Sequence, residues 1–192
     1  MIADRERQIL IVSSSEKNEE FFRRNLRKTL IADFSPSGTD ARQKLSYKDY
    51  DVVIINAPLK DEYGTELAES IIKDSYSGVL MLVKADVFDD VSYAMERIGV
   101  YCLAKPVSAQ TFTQGVTVSL ATSERLKGLI KKTENLKEKM EEIKLVGRAK
   151  LLLITKLAFT EEQAHRYIEK QAMDRCVKKS VVALDVIKTY SE

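Results

Sequence analysis

Along residues 1–120, short runs of apolar and largely β-branched side chains alternate with longer stretches in which apolar positions recur every three or four residues. The short runs predict five strands, at residues 8–12, 31–34, 51–55, 79–83 and 100–103. The continuous run Val52-Val53-Ile54-Ile55 suits a strand buried on both faces, as in a parallel sheet covered by helices on either side. The longer stretches predict helices at 17–29, 39–45, 62–74 and 87–98, with a further helix beginning near Ser108. Strict alternation of strand and helix is the pattern of a doubly wound α/β fold, in which ligands sit at the carboxyl ends of the strands.

From residue 111 to residue 146 the pattern becomes purely helical, without proline and with Gly128 inside the stretch. Leu126, Leu129, Thr133, Leu136, Met140 and Ile143 follow one another at alternating intervals of 3 and 4 residues, a heptad seam flanked by Lys and Glu. The seam predicts a coiled coil with a second copy of the chain, or failing that a stripe packed on the chain's own first domain. Beyond it, residues 148–183 read as three short helices broken at two places. Ala149, Leu152, Leu153 and Leu157 form one apolar stripe; Ala164, Tyr167, Ile168, Gln171 and Ala172 form a second; Val182, Val186 and Ile187 form a third. Thr160 and Gln163 have the spacing of a capping box, which predicts a fresh helix start after Ala158-Phe159. Helices this short are marginal alone and must lean on one another or on a partner.

The chain has 192 residues, 44% of them apolar, and a net charge of +2, so composition places it among globular proteins and bounds little else. Distribution of charge says more: residues 1–123 carry a net −3 and residues 124–192 a net +5. The charged N-terminus MIADRERQ and the absence of a long apolar run predict a cytoplasmic protein without a membrane partner. Cys102 and Cys176 lie far apart and the chain has a single histidine, so no metal site and no cofactor are expected. No Gly-rich phosphate loop and no Ser-His-Asp set is visible, which argues against an enzyme. No helix-turn-helix signal favours a DNA reader.

The residues Ala149-Lys150, an apolar run, Glu162 two positions before Ala164, Ala172-Met173 and Val182-Ala183 resemble, in type and spacing, the ANTAR domain of RNA-binding, AmiR/NasR-type transcription antiterminators. The resemblance covers about thirty-five positions. It departs from the family at His165, where an aromatic residue is usual, and at Lys179, where an apolar one is. It implies recognition of paired RNA hairpins in a leader transcript. The RNA-contacting candidates are Arg148, Lys150, His165, Arg166, Arg175 and Lys178, with Ala149, Ala164, Ala172 and Met173 shaping close approach or helix packing.

The order of the first ten elements, with Lys105-Pro106 after the fifth strand, resembles a response-regulator receiver domain of flavodoxin-like, five-stranded parallel topology. Where receivers place a pair of acids for Mg²⁺, this chain has Ser13 and Ser14; where they place the phosphorylated aspartate it has Asn56. The family's switch hydroxyl is assigned to Val83 and its switch aromatic to Cys102, which leaves Lys105 as the one matching pocket residue. Neutral hydroxyls do not offset the dehydration of Mg²⁺, and an amide is not a phosphoryl acceptor. The expectation is therefore a receiver-like domain at 1–120 that is not phosphorylated, a coiled-coil linker helix at 121–147 and a small all-α, three-helix RNA-binding domain at 148–192. Leu126, Leu129, Thr133, Leu136, Met140 and Ile143 would pair two copies, and a sensor protein would dock on the receiver-like domain. The competing function is an interaction module that holds another regulator through its receiver face and coiled coil. Asp61 and Glu62, in the loop after the third strand, are weighed as a weak cation site or a polar turn, and Asp51 is expected at the opposite end of the sheet.

Overall fold

The computed structural model describes residues 6–190, apart from the side chains of Glu16 and Lys17. The charged start of the chain, on which the expectation about a leader segment rests, lies mostly outside the described residues. Two compact units divide near Gly128: residues 1–128 and residues 129–192.

The first unit is a parallel sheet of β1 (Arg7–Val12), β2 (Leu30–Ser35), β3 (Val52–Asn56), β4 (Gly78–Lys84) and β5 (Tyr101–Lys105), in the order β2-β1-β3-β4-β5. Its helices are α1 (Glu16–Asn25), α2 (Gly38–Leu45), α3 (Thr65–Asp74) and α4 (Phe88–Glu96), with α5 (Ala109–Leu157) beginning after β5. Strand alternation sends Leu10, Val12, Val53, Ile55, Met81 and Val83 into one core with Ala41, Leu67, Ile71 and Met95 of α2, α3 and α4. The other set, Ile9, Ile11, Val52, Ile54, Leu80, Leu82 and Leu103, packs on Phe22 of α1 and on Phe112, Val116 and Leu120 of α5. Phe22 and Phe112 are fully buried with ring centroids 5.4 Å apart. The fold expected from the alternation is the fold observed.

Boundaries differ from the periodicity where a local contact decides them. Helix α1 stops at Asn25, four residues before the apolar pattern does, because Leu26 is extended and the chain must turn into β2. Helix α3 starts at Thr65, three residues later than expected, since Asp61 and Glu62 are engaged elsewhere and Gly64, at φ +109°, makes the turn. Strand β4 runs one residue past Val83 to Lys84, which alters the reading of the pocket.

The largest difference lies at the junction of the linker and the helical domain. Two separate helices are expected there, yet α5 is one unbroken helix of 49 residues through Gly147 and Arg148. Gly147 costs about 1 kcal/mol in a helix interior, too little to break one whose neighbours are good helix formers. The first of the three expected short helices is thus the end of α5. In the second unit it packs with α6 (Glu161–Asp174) and α7 (Lys179–Tyr190) around Ala149, Leu153, Ala164, Ile168, Ala172, Val182, Ala183, Val186 and Ile187. Tyr167, assigned to the inner stripe of α6, is exposed and lies edge-on to Phe159 at 6.0 Å, and Leu157, assigned to the first stripe, is exposed as well.

Both reversals of the second unit use left-handed residues that are not glycine, Ala158 at φ +55° and Cys176 at φ +50°. The second closes a Schellman motif, in which Val177 N–H donates to the Ala172 carbonyl at 3.0 Å and Cys176 N–H to the Met173 carbonyl at 3.1 Å. An L side chain in this region costs about 1–2 kcal/mol. Ala158→Gly is expected to stabilise the helical unit by about 0.5–1 kcal/mol. Urea unfolding followed by circular dichroism measures it, and a lowered midpoint would contradict the left-handed turn.

Candidate nucleic-acid interface and receiver-like pocket

In the helical unit the local chemistry at the start of α6 is as the spacing implies. Gln163 N–H donates to Thr160 Oγ1 at 3.2 Å and Thr160 N–H donates to Gln163 Oε1 at 2.9 Å. This capping box orients α6 so that Ala164, Ile168 and Ala172 face α5 and α7. Ala149, Ala164 and Ala172 are all buried there and act as helix spacers, so of their two assigned roles it is packing that the structure supports. Met173 is 77% exposed and free to touch a ligand.

The basic candidates lie on the surface, and most are matched with an acid. Lys150 Nζ meets Glu161 Oε1 at 3.0 Å, and this hydrogen bond holds the Glu161 carboxyl below its ordinary range. Arg166 pairs with Glu162 at 2.5 Å, Arg175 with Asp185 at 2.8 Å, Lys178 with Glu138 at 3.4 Å, and His165 Nε2 approaches Glu169 at 3.3 Å. Glu169 also accepts from Lys179, so the departure from the family pattern at Lys179 is answered by a neighbouring carboxylate. Arg148 is exposed and has no ion pair among the described residues. Exposed pairs contribute little to stability, so these cations are only weakly held by their carboxylate partners. The pairs at i,i+4 were legible from spacing; those of Lys150, Arg175 and Lys178 join residues on different helices or helical turns far apart in sequence.

The six seam positions of α5 are all exposed in the single chain, with Leu136 at 61%, Met140 at 59% and Ile143 at 71%. Thr133 returns its hydroxyl to the Leu129 carbonyl at 3.0 Å, which satisfies the one polar group of the seam.

At the carboxyl ends of the strands, Asn56 Nδ2 donates to Ser13 Oγ at 3.0 Å, with both residues buried, and Ser14 is exposed. Lys105 donates from Nζ to the Ala57 carbonyl. Burial pulls the Lys105 amine below its ordinary pKa, and the charge of Lys84 adds to that shift. Val83 is buried in the core beneath α2, α3 and α4, not in the pocket. Lys84 is the residue in register with Lys105 and lines the same cavity, so the assignment of Val83 to the switch position is corrected to Lys84. Cys102 is partly buried, and burial pushes its thiol up to about 11. The donor set Ser13, Ser14 and Asn56 contains no carboxylate, and the hydroxyl of Ser13 is already engaged by Asn56, so these residues do not fit Mg²⁺.

Asp61 and Glu62 are occupied with the fold itself. Asp61 accepts from Gly38 N–H at 2.8 Å, Thr39 N–H at 2.9 Å and Thr39 Oγ1 at 2.8 Å, and these bonds, led by the Thr39 amide, depress its pKa strongly. Glu62 takes both terminal nitrogens of Arg42, at 2.5 and 3.0 Å. The two acids tie the loop after β3 to the N-terminus of α2, which is the polar-turn reading. Asp51 stands at the amino end of β3 as expected, where Oδ1 meets Lys127 of α5 at 2.5 Å and Oδ2 accepts from Gln8 N–H at 2.9 Å. Among the described residues no helix is long and apolar enough to cross a membrane, and no cluster of three or more His, Cys, Asp or Glu side chains suits a metal ion.

Comparison with known proteins places these two units. Residues 134–187 match the family model of the ANTAR domain. The chain is 28% identical over 152 residues, 79% of its own length and 74% of the relative's, to the transcriptional regulatory protein PdtaR of Mycobacterium tuberculosis. The fold of the first unit is also that of solved receiver domains. One, the signal receiver domain of an HD domain-containing protein from Pseudomonas fluorescens, aligns with a TM-score of 0.59 at 23% identity over 65% of this chain and 93% of that one. Another, a response regulator receiver domain protein from Clostridium thermocellum, aligns at 0.53 with 21% identity over 62% of this chain and 98% of that one.

Proposed function

We propose that this chain is an ANTAR-type regulator with a receiver-like domain, which binds paired RNA hairpins as a homodimer in the cytoplasm and so prevents transcription termination. The observation that carries the reading is the position of the matched domain. The exposed seam of α5 runs without a break into the helix that carries Arg148 and Lys150, so pairing two stalks brings two RNA-binding surfaces together. Two modest surfaces that act at once bind far more tightly than one, by effective concentration. Unstacked hairpin-loop bases would be met by exposed side chains such as Met173 and Tyr167, and phosphates by Arg148, Lys150, Arg166, Arg175 and Lys178.

In this reading the receiver-like domain does not take a phosphoryl group, because Asn56 offers an amide where a carboxylate nucleophile is required and Ser13 and Ser14 do not hold Mg²⁺. Its input is a binding event, and a sensor protein docked on this domain is one such event.

Lys150→Ala tests the RNA surface. The variant is expected to bind a two-hairpin leader RNA more weakly and to lose roughly one phosphate contact, about 0.7 in the slope of log K against log salt for single strands. Filter binding across a salt series measures both quantities, and if neither changes Lys150 is not part of the surface. Glu161→Gln, which releases Lys150, should move affinity in the opposite direction.

A further inference from the structure

We infer that the cavity at the carboxyl ends of β3, β4 and β5 is a non-covalent binding site for a small organic dianion, a phosphate monoester with an apolar body, gripped by Lys84 and Lys105. The inference rests on the proposal that no phosphoryl transfer occurs there.

Strand geometry puts the groups together. With a side-chain period of two, Asn56, Lys84 and Lys105 share the sheet face of Ile54, Leu82 and Leu103, and Lys84 lies directly opposite Lys105 in the β4–β5 register. Like charges directly opposite on neighbouring strands repel. Among the described side chains neither lysine has a carboxylate partner, and Lys105, half-buried, already has its charged form disfavoured by burial and by Lys84. An anion between the two ammonium groups reverses both penalties.

The rest of the lining determines what kind of anion. The cavity is about 560 Å³, within the range of small-molecule sites and far more than a bare phosphate fills. Phe21, Leu82, Pro106 and Val107 give it apolar walls, and Asn18 and Asn56 are its neutral polar groups. Two lysines act as point charges toward a phosphate, and the apolar walls take up the organic body. A divalent cation is disfavoured by the same charges, which sets this pocket apart from one built around acidic residues.

Phenyl phosphate is the probe, titrated into the full chain by calorimetry without divalent cations, with inorganic phosphate alongside. The expected result is saturable binding of one phenyl phosphate per chain, roughly tenfold or more tighter than inorganic phosphate and weakened roughly tenfold by Lys84→Ala. Lys84→Arg should keep most of the affinity. Lys84 is exposed at the end of its strand, so its replacement leaves the core intact, and Lys105→Met provides a second variant. Absence of saturable binding, or binding that neither substitution weakens, overturns the inference. Intact mass after incubation with acetyl phosphate and Mg²⁺ separates it from its premise: a phosphoryl group gained on a carboxylate overturns the proposal of a receiver without phosphorylation and this inference with it. An unchanged mass with no phenyl phosphate binding overturns this inference alone.

Discussion

Replacing Leu136 and Met140 together by lysine is expected to leave the chain monomeric and to lower its affinity for a two-hairpin RNA by about a hundredfold, the lower end of what linking two sites provides. Both side chains are mostly exposed in the single chain, at 61% and 59%, and both belong to the heptad seam. Burying such a side chain against a partner contributes about 1.5–3 kcal/mol, and the lysine variant both loses that and sets like charges face to face in the pair. Because neither residue belongs to the core of either unit, the fold of the individual chain should be unaffected and its circular dichroism unchanged. Affinity for a single hairpin should also be unchanged, since that contact needs one copy only. Light-scattering mass and gel shifts with one- and two-hairpin RNAs provide the measurements. A variant that stays dimeric would place the interface elsewhere, and a wild-type monomer would remove the basis of the proposed mechanism.

A second substitution, Gly78→Ala, should destabilise the receiver-like unit by about 3 kcal/mol, the upper part of the range for overpacking a well-filled core. A Cβ at position 78 would stand 2.1 Å from the carbonyl oxygen of Ser119 and 2.7 Å from its carbonyl carbon. Those are backbone atoms of α5, so no rotamer change relieves the overlap: the helix must shift on the sheet. That helix is held there by Phe112, Val116 and Leu120 in the core and by the Lys127–Asp51 pair, and the Ser123 hydroxyl donates to the Tyr76 carbonyl at 3.0 Å. Gly128→Ala is the internal contrast. A Cβ at 128 meets nothing within 4 Å, and alanine in a helix interior is favoured over glycine by about 1 kcal/mol, so the sign reverses. Urea unfolding of both variants tests the pair; equal midpoints would contradict the close approach of α5 to β4.

Much of the architecture can be read from the chain because it rests on short periods. Alternating apolar runs imply strands buried on both faces, the 3-and-4 spacing from Leu126 to Ile143 implies a seam, and Thr160 with Gln163 implies a helix start. Each is a property of neighbours within about two turns of helix or one strand, so no tertiary contact is needed to see it. The serines and asparagine at the strand ends are likewise visible as residue types.

The rest depends on what packing brings together. Only the folded chain shows that α5 continues through Gly147, because the cost of one glycine is weighed against the burial of Leu145, Val146 and Ala149 beside it. Only the register shows that Lys84, and not Val83, stands opposite Lys105, since a shift of one residue in a strand exchanges its faces. Only the helix packing shows that Lys150 meets Glu161 and that Arg175 meets Asp185. Periodicity assigns a residue to a face, while the partner on that face belongs to another element, and its identity is a property of three-dimensional contact.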